Sequence, residues 1–295
     1  MNPAEPGKVL ITGAQGQVGM ELQATAPTAW RVLACGSSDL DVTDADAVRE
    51  LLERERPVLI IQAAAYTDVD TAEHQVEQAE AVNVAGASNV AAAATRIGAR
   101  MIHLSTDFVF DGAQGRPYVP GDPAKPLGIY GRTKLAGERE VSRLTRGVAL
   151  IVRTAWVYSA HGGNFVRTML RLMREQDSVK VVSDQVGTPT WGRKLAEALW
   201  VAADRPSLHG IVHWTDAGVA SWYDFAVAIQ EEALILGLLP KAVPVHPIRT
   251  EEYPTPARRP PYSVLDKTSG WAALGGPARH WRANLRTMLQ GLAHA

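Results

Sequence analysis

Short apolar runs recur through the first half of the chain, each followed by a stretch with helical spacing, and that alternation leaves few folds open. Val9–Ile11, Arg31–Cys35, Val58–Ile61, Met101–Leu104 and Val148–Val152 read as strands. Between them, Asp44–Arg54 (with Asp44 near the N-cap) and the Ala-rich Val82–Ile97 read as helices. Strands alternating with helices make βαβ units around a parallel sheet, joined by right-handed crossovers. The expected class is α/β, with helices on both sheet faces. After about residue 155 the pattern loosens. A helix is expected over Asn164–Gln176, a strand over Ser178–Val182 and a terminal helix over Trp281–Leu292. Tyr253–Pro261 is too rich in proline for a helix or a central strand. The expected division is a dinucleotide-binding domain over residues 1–155, rejoined by later segments at about 180–212, and a smaller, mainly substrate-binding lobe over 156–295.

The first predicted strand runs into Gly13-Ala14-Gln15-Gly16-Gln17-Val18-Gly19, which opens a helix. Glycines at this spacing permit a tight turn and close backbone approach to a diphosphate, and a helix start offers it free N–H groups and a positive dipole end. In a strand–loop–helix context this marks a Rossmann-like nicotinamide dinucleotide site, with Gly13, Gly16, Gln17, Val18 and Gly19 as its cradle. An acidic residue at the end of the second strand would hold an adenosine ribose and repel a 2′-phosphate. Gly36-Ser37-Ser38 stands there instead, so NADPH is favoured over NADH and Ser37 is a candidate phosphate contact. Asp41 and Val42 follow, and Asp41 reads either as an adenine contact or as a turn residue.

Tyr130-Gly131-Arg132-Thr133-Lys134 puts a phenol and an ammonium on one helix face. An ammonium beside a phenol is expected to pull the phenol pKa down, which tunes Tyr130 as a proton donor to a carbonyl oxygen as hydride arrives at carbon. Lys134 can also bond the cofactor ribose. Leu104-Ser105-Thr106-Asp107 closes the fourth strand at the sheet's carboxyl edge, where ligands of open α/β sheets bind. The Thr106 hydroxyl is therefore a candidate partner for the same carbonyl oxygen. Asp107 either orients substrate or serves the turn.

The charge balance argues against polyanionic partners. Thirty Lys and Arg face 31 Asp and Glu, for a net charge of −1, so neither nucleic acid nor an anionic membrane is an expected partner. The single cysteine, Cys35, sits in an apolar run and reads as a core residue. No apolar run is long enough to span a bilayer, and Met1–Lys8 lacks a signal-peptide core, so the cytoplasm is the expected compartment.

Taken together, the glycine loop, Ala63-Ala64-Ala65-Tyr66-Thr67-Asp68-Val69-Asp70, Ser105-Thr106-Asp107-Phe108-Val109-Phe110-Asp111-Gly112 and Tyr130-Gly131-Arg132-Thr133-Lys134-Leu135-Ala136-Gly137-Glu138 resemble the extended short-chain dehydrogenase/reductases. Within them the chain is similar to the dTDP-4-dehydrorhamnose reductases, through Arg153-Thr154-Ala155-Trp156-Val157-Tyr158, Gly163-Asn164-Phe165, Asp184-Gln185-x-Gly187-x-Pro189-Thr190 and Pro254-x-Pro256-x-Arg258-Arg259-Pro260. The resemblance covers nearly the whole chain. It implies reduction of dTDP-4-dehydro-L-rhamnose at C4, with Tyr130 as general acid, Lys134 as its tuner and Thr106 as carbonyl partner. It further implies Ala64, Ala65, Tyr66 and Leu104 against the cofactor, Trp156 against the sugar and Arg259 on the nucleotide phosphates.

Two departures stand out. Phe108 replaces the family's usual Tyr, which bears on fine substrate choice. Trp191-Gly192-Arg193 places a cation near where some members bind Mg²⁺ at a dimer interface, so no metal is expected, and the protein is expected to be a monomer or a homodimer. Competing readings are a reductase of another dTDP-ketosugar, such as the dihydrostreptose type, and a non-catalytic nucleotide-binding regulatory subunit. An epimerase or dehydratase is disfavoured, because Phe108 follows Asp107 where a dehydratase would carry a second acid.

Overall fold

Five strands of the first half, β1 (Gly7–Thr12), β2 (Trp30–Cys35), β3 (Leu59–Gln62), β4 (Arg100–Thr106) and β5 (Leu150–Thr154), lie in one sheet with a sixth strand, Gly210–His213, in this computed structural model. It describes residues 7–294; the signal-peptide expectation rests largely on residues 1–6, which lie outside the described residues. The order is β2-β1-β3-β4-β5 followed by Gly210–His213, and every pairing is parallel. The chain steps to opposite sides of β1 to make β2 and β3. Such a reversal opens a crevice at the strands' carboxyl ends, which is where a ligand fits. The α/β expectation is borne out.

Side-chain alternation along these strands divides the core into two layers. Val9, Ile11, Leu59, Ile61, Ile102 and Leu104 face one side, under the helices Gln17–Ala24 and Gly192–Ala203. Leu10, Ile60, Met101 and Ile151 face the other, under Ala45–Glu55, Ala87–Ile97 and Ile129–Leu144. Asp44 caps Ala45–Glu55 by accepting from the N–H groups of Asp46 and Ala47. The stretch expected as one helix over Val82–Ile97 is instead a π-helical turn, Ala81–Gly86, running into Ala87–Ile97. Such widened turns cluster at functional sites. Here the turn carries Asn83, whose amide bonds the backbone of Tyr66 and the Thr133 hydroxyl.

The rest of the chain packs around its own core. The helices Phe165–Glu175, Trp222–Ile235 and Trp281–Ala293 bury Val166, Met169, Phe225, Ile229, Leu285 and Leu289 together. Asn164 caps the first of these helices, and Ser221 with Asp224 forms a capping box on the second. Val179–Val182 pairs with Val245–Ile248 in a separate two-stranded sheet rather than in the central one. Tyr253–Pro261 contains neither helix nor strand. Among the described residues, no helix is long and apolar enough to cross a membrane.

Candidate active site

A cleft of about 740 Å³ runs along the sheet's carboxyl edge. It is lined by Gly13, Gly16, Gln17, Val18, Gly19, Ser37, Asp41, Val42, Ala64, Ala65, Tyr66, Leu104, Thr106, Asp107, Tyr130, Lys134, Trp156 and Arg259. Every site residue expected from sequence therefore meets in one place, although these positions span most of the chain.

The glycine loop is shaped for a close-lying anion. Gly13 has φ +66°, and a Cβ there would stand 2.6 Å from the Ala64 nitrogen. Gly16 opens the helix Gln17–Ala24 with no side-chain cap, so the first N–H groups are left to a ligand. After β2, the Asp39 carboxylate turns back to accept the Gly36 N–H at 2.8 Å, and Ser37 faces the cleft instead. Asp41 accepts from the Thr43 N–H and hydroxyl at 2.9 and 2.8 Å, so it shapes a turn while lining the cleft. The cradle fits a dinucleotide, and Ser37 leaves its 2′-phosphate unopposed.

Tyr130 and Lys134 lie on the helix Ile129–Leu144, as their spacing predicts, but the electrostatic coupling differs from expectation. Lys134 is 3% exposed and donates from Nζ to the Leu104 carbonyl at 2.7 Å. Burial pushes its pKa down to about 8 against the raising pull of Glu138. The Tyr130 phenol is pushed up to about 12, by burial first and by Asp107, against a lowering bond with Thr106. The expected depression of the phenol by Lys134 does not appear: the ammonium points an N–H at the Leu104 carbonyl, and burial and Asp107 dominate the phenol instead. Tyr130 is consequently held as a neutral phenol, the form that donates a proton.

Thr106 caps the short 3₁₀ turn Asp107–Val109 by accepting from the Phe108 N–H, and it donates to Asp107 Oδ1 at 3.1 Å. Asp107 is 2% exposed and its Oδ2 has no hydrogen-bond partner among the described residues. Burial raises the carboxyl to about 6 against the pull of the Ser263 and Thr106 side chains. Phe108 meets Tyr130 edge-on at 5.6 Å. Trp156 holds a left-handed backbone at φ +46° and stacks on Trp222, with ring centroids 3.5 Å apart and planes 3° from parallel. Arg259 makes a bidentate pair with Asp70, Nη2 to Oδ2 at 2.7 Å and Nη1 to Oδ1 at 3.1 Å.

Beneath the helix that carries Tyr130, Arg153 forks onto Glu138 at 2.9 and 2.7 Å, and Ser105 donates to the same carboxylate. Sequence reasoning missed this cluster as well as Asn83, Trp222 and Asp70. Asn83 left a trace, as an amide among the apolar residues that open the Ala-rich helical stretch. Glu138 left another, one helical turn after Lys134 on the same face. Trp222 left none beyond its place after a capping serine.

Residues 7–294 match the family model for the RmlD substrate binding domain. The chain is 42% identical over 293 residues to a dTDP-4-dehydrorhamnose reductase of Streptomyces griseus, covering 97% of this chain and 94% of that protein. Its fold matches the crystal structure of a dTDP-4-dehydrorhamnose reductase from Clostridium acetobutylicum with TM-score 0.91 at 41% identity, covering 97% of this chain and 99% of that one. It also matches the enzyme of that name from Bacillus anthracis, solved in complex with NADP, with TM-score 0.89 at 36% identity and coverage of 96% and 98%.

Proposed function

This chain belongs to the RmlD substrate-binding family, and on that premise we propose that it is an NADPH-dependent oxidoreductase reducing dTDP-4-dehydro-L-rhamnose at C4 to dTDP-L-rhamnose. One observation carries the chemistry: a phenol and a hydroxyl, Tyr130 and Thr106, line the same cleft as the unblocked start of the dinucleotide helix. When bound, NADPH supplies the hydride.

The chain's own residues do the rest. Tyr130 gives its proton to the keto oxygen as that oxygen gains charge, and Thr106 steadies the oxygen by hydrogen bonding. Lys134, anchored on the Leu104 carbonyl one helical turn from Tyr130, would hold the cofactor ribose. The glycine loop and helix start hold the diphosphate of the cofactor, Ser37 its 2′-phosphate, and Ala64, Ala65, Tyr66 and Leu104 the cofactor's faces. Asp41 and Val42 close the adenine end. The lobe built on Phe165–Glu175, Trp222–Ile235 and Trp281–Ala293 is the sugar-nucleotide side, with Trp156 against the sugar, Asp107 on its hydroxyls and Arg259 on its phosphates. The reading places the reaction in the cytoplasm, where reduced nicotinamide and sugar nucleotides are made.

The test is nicotinamide absorbance with dTDP-4-dehydro-L-rhamnose, run with each cofactor in turn. NADPH should be consumed in step with dTDP-L-rhamnose formed. Consumption of neither cofactor would remove the reading and leave the regulatory-subunit alternative.

A further inference from the structure

The segment from Asp68 to Glu73 touches both the loop that carries Arg259 and the start of the helix that carries Tyr130. Asp68 caps the single helical turn Val69–Ala72 by accepting from the Thr71 N–H. Within that turn Asp70 takes three donors from one distant loop: Arg259 Nη1 and Nη2 at 3.1 and 2.7 Å, and the Ala257 N–H at 3.2 Å. Arg259 Nη1 is also tied to the Thr255 hydroxyl at 2.6 Å and to the Ala257 carbonyl at 3.3 Å. The guanidinium is thus fixed along its Nη edge, and its Nε–H takes no hydrogen-bond partner among the described residues. Three residues beyond Asp70, Glu73 Oε1 accepts the Ile129 N–H at 2.7 Å, at the first position of the helix whose next residue is Tyr130. A carboxylate there also suits the helix dipole. Glycine at residue 128 leaves room for this approach, since a Cβ there would stand 2.6 Å from Glu73 Oε1 and push the carboxylate aside.

We propose that Asp70 and Glu73 are positioning residues acting through one short turn: Asp70 sets the Arg259 guanidinium for the diphosphate of the sugar nucleotide, and Glu73 sets the Tyr130 helix against the same substrate. The proposal rests on the reading of the cleft as a dTDP-sugar reductase site. A planar guanidinium loses little freedom per bond when its fork is already oriented, so a diphosphate that meets a held Arg259 binds tighter than one that must order it. Against the upward push of burial, the bonds from Arg259 and Ala257 hold the Asp70 carboxyl below its usual range, so the anchor is charged at neutral pH.

Asp70→Asn, Asp70→Glu, Glu73→Gln and Arg259→Ala should be compared in full kinetics with dTDP-4-dehydro-L-rhamnose and NADPH, with calorimetric binding of dTDP alone and of NADPH alongside. Asp70→Asn should raise KM and the dTDP Kd about tenfold, the worth of one charged hydrogen bond, with kcat little changed. Asp70→Glu should recover part of that loss. Glu73→Gln should instead lower kcat about tenfold through displacement of Tyr130, with KM nearly kept. NADPH affinity should not move in any variant.

If Arg259→Ala weakens dTDP while Asp70→Asn does not, positioning by Asp70 is refuted and the reading of the site survives. If Asp70→Asn tightens dTDP, the carboxylate competes with substrate and the proposal is wrong. If Glu73→Gln leaves kcat as in the parent enzyme, that half of the proposal goes. If Arg259→Ala leaves dTDP binding untouched, the phosphate assignment itself has failed.

Discussion

Under the Tyr130 helix Arg153 grips Glu138 with two nitrogens, Nε and Nη2, and at the rim of the cleft Arg259 grips Asp70 with its two Nη atoms. The shortest contact in each fork is 2.7 Å. The environments differ: both side chains of the first pair are 3% exposed, whereas those of the second are 23% and 34% exposed. Inside, neither charge can turn to water if its partner is lost. At the rim each can. One interaction chemistry therefore serves two ends: the buried fork, which Ser105 also joins, ties the Tyr130 helix to β4 and β5, and the wetted fork holds a guanidinium.

The largest effect belongs to the buried side. Tyr130→Phe should cut kcat by about 10²–10⁴-fold, the usual worth of a general acid, while thermal stability and NADPH affinity stay near those of the parent. Stopped-flow turnover with calorimetric binding separates the two readouts. A kcat close to that of the parent would show that another group delivers the proton.

Next comes the buried fork itself. Glu138→Ala leaves Arg153 charged and buried without its carboxylate, and denaturant unfolding should report a loss of about 3–5 kcal/mol. Replacing both partners by Met should cost clearly less than the single change, because no orphaned charge remains. A single-mutant loss below about 1 kcal/mol would mean that water reaches the pair and that the contrast with the rim is false.

The third effect is a titration. Lys134 has its pKa depressed to about 8 from an ordinary 10.5, mainly by burial. The folded protein therefore binds fewer protons than the unfolded chain between those values, so this group makes stability rise with pH across that window, not fall. Activity moves the other way if the ammonium is needed. The free-enzyme profile of kcat/KM should bend down near pH 8 and fall about tenfold per unit beyond it. Tyr130, held near 12, contributes nothing to that limb. Lys134→Arg should carry the limb upward, and a limb that stayed near pH 8 would assign it to another group.

The two forks also mark how far the sequence could be read. Tyr130 and Lys134 are one helical turn apart, Thr106 ends a strand and the three glycines sit in one loop, so local periodicity places each of them. Glu138 lies on that same readable face, but its partner Arg153 sits 15 residues on in another strand. Asp70 and Arg259 are 189 residues apart, and nothing in either local pattern points to the other. The stacking of Trp222 on Trp156 is equally remote from local spacing. Even the phenol's direction of shift depended on tertiary packing, because burial in the cleft wall and the Asp107 carboxylate beyond β4 set it. Residue types and spacing thus disclosed the proposed reacting groups, while the groups that hold them came only from the fold.

The smallest effect is the one that decides between the two roles. If the rim fork is an alignment device, Asp70→Asn should cost no more than about 1 kcal/mol of stability, as exposed pairs do. In a chain of this size that lowers Tm by only about 2–4 °C. The loss should shrink further as salt screens the pair, whereas the loss from Glu138→Ala should hardly respond, since salt does not reach a dry interior. The loop from Thr255 to Arg259 would keep its other hydrogen bonds and so remain near its place. Were the Asp70→Asn loss instead to match that of Glu138→Ala and resist salt, the rim pair would be clamping the fold, and water access would not be what separates the two forks.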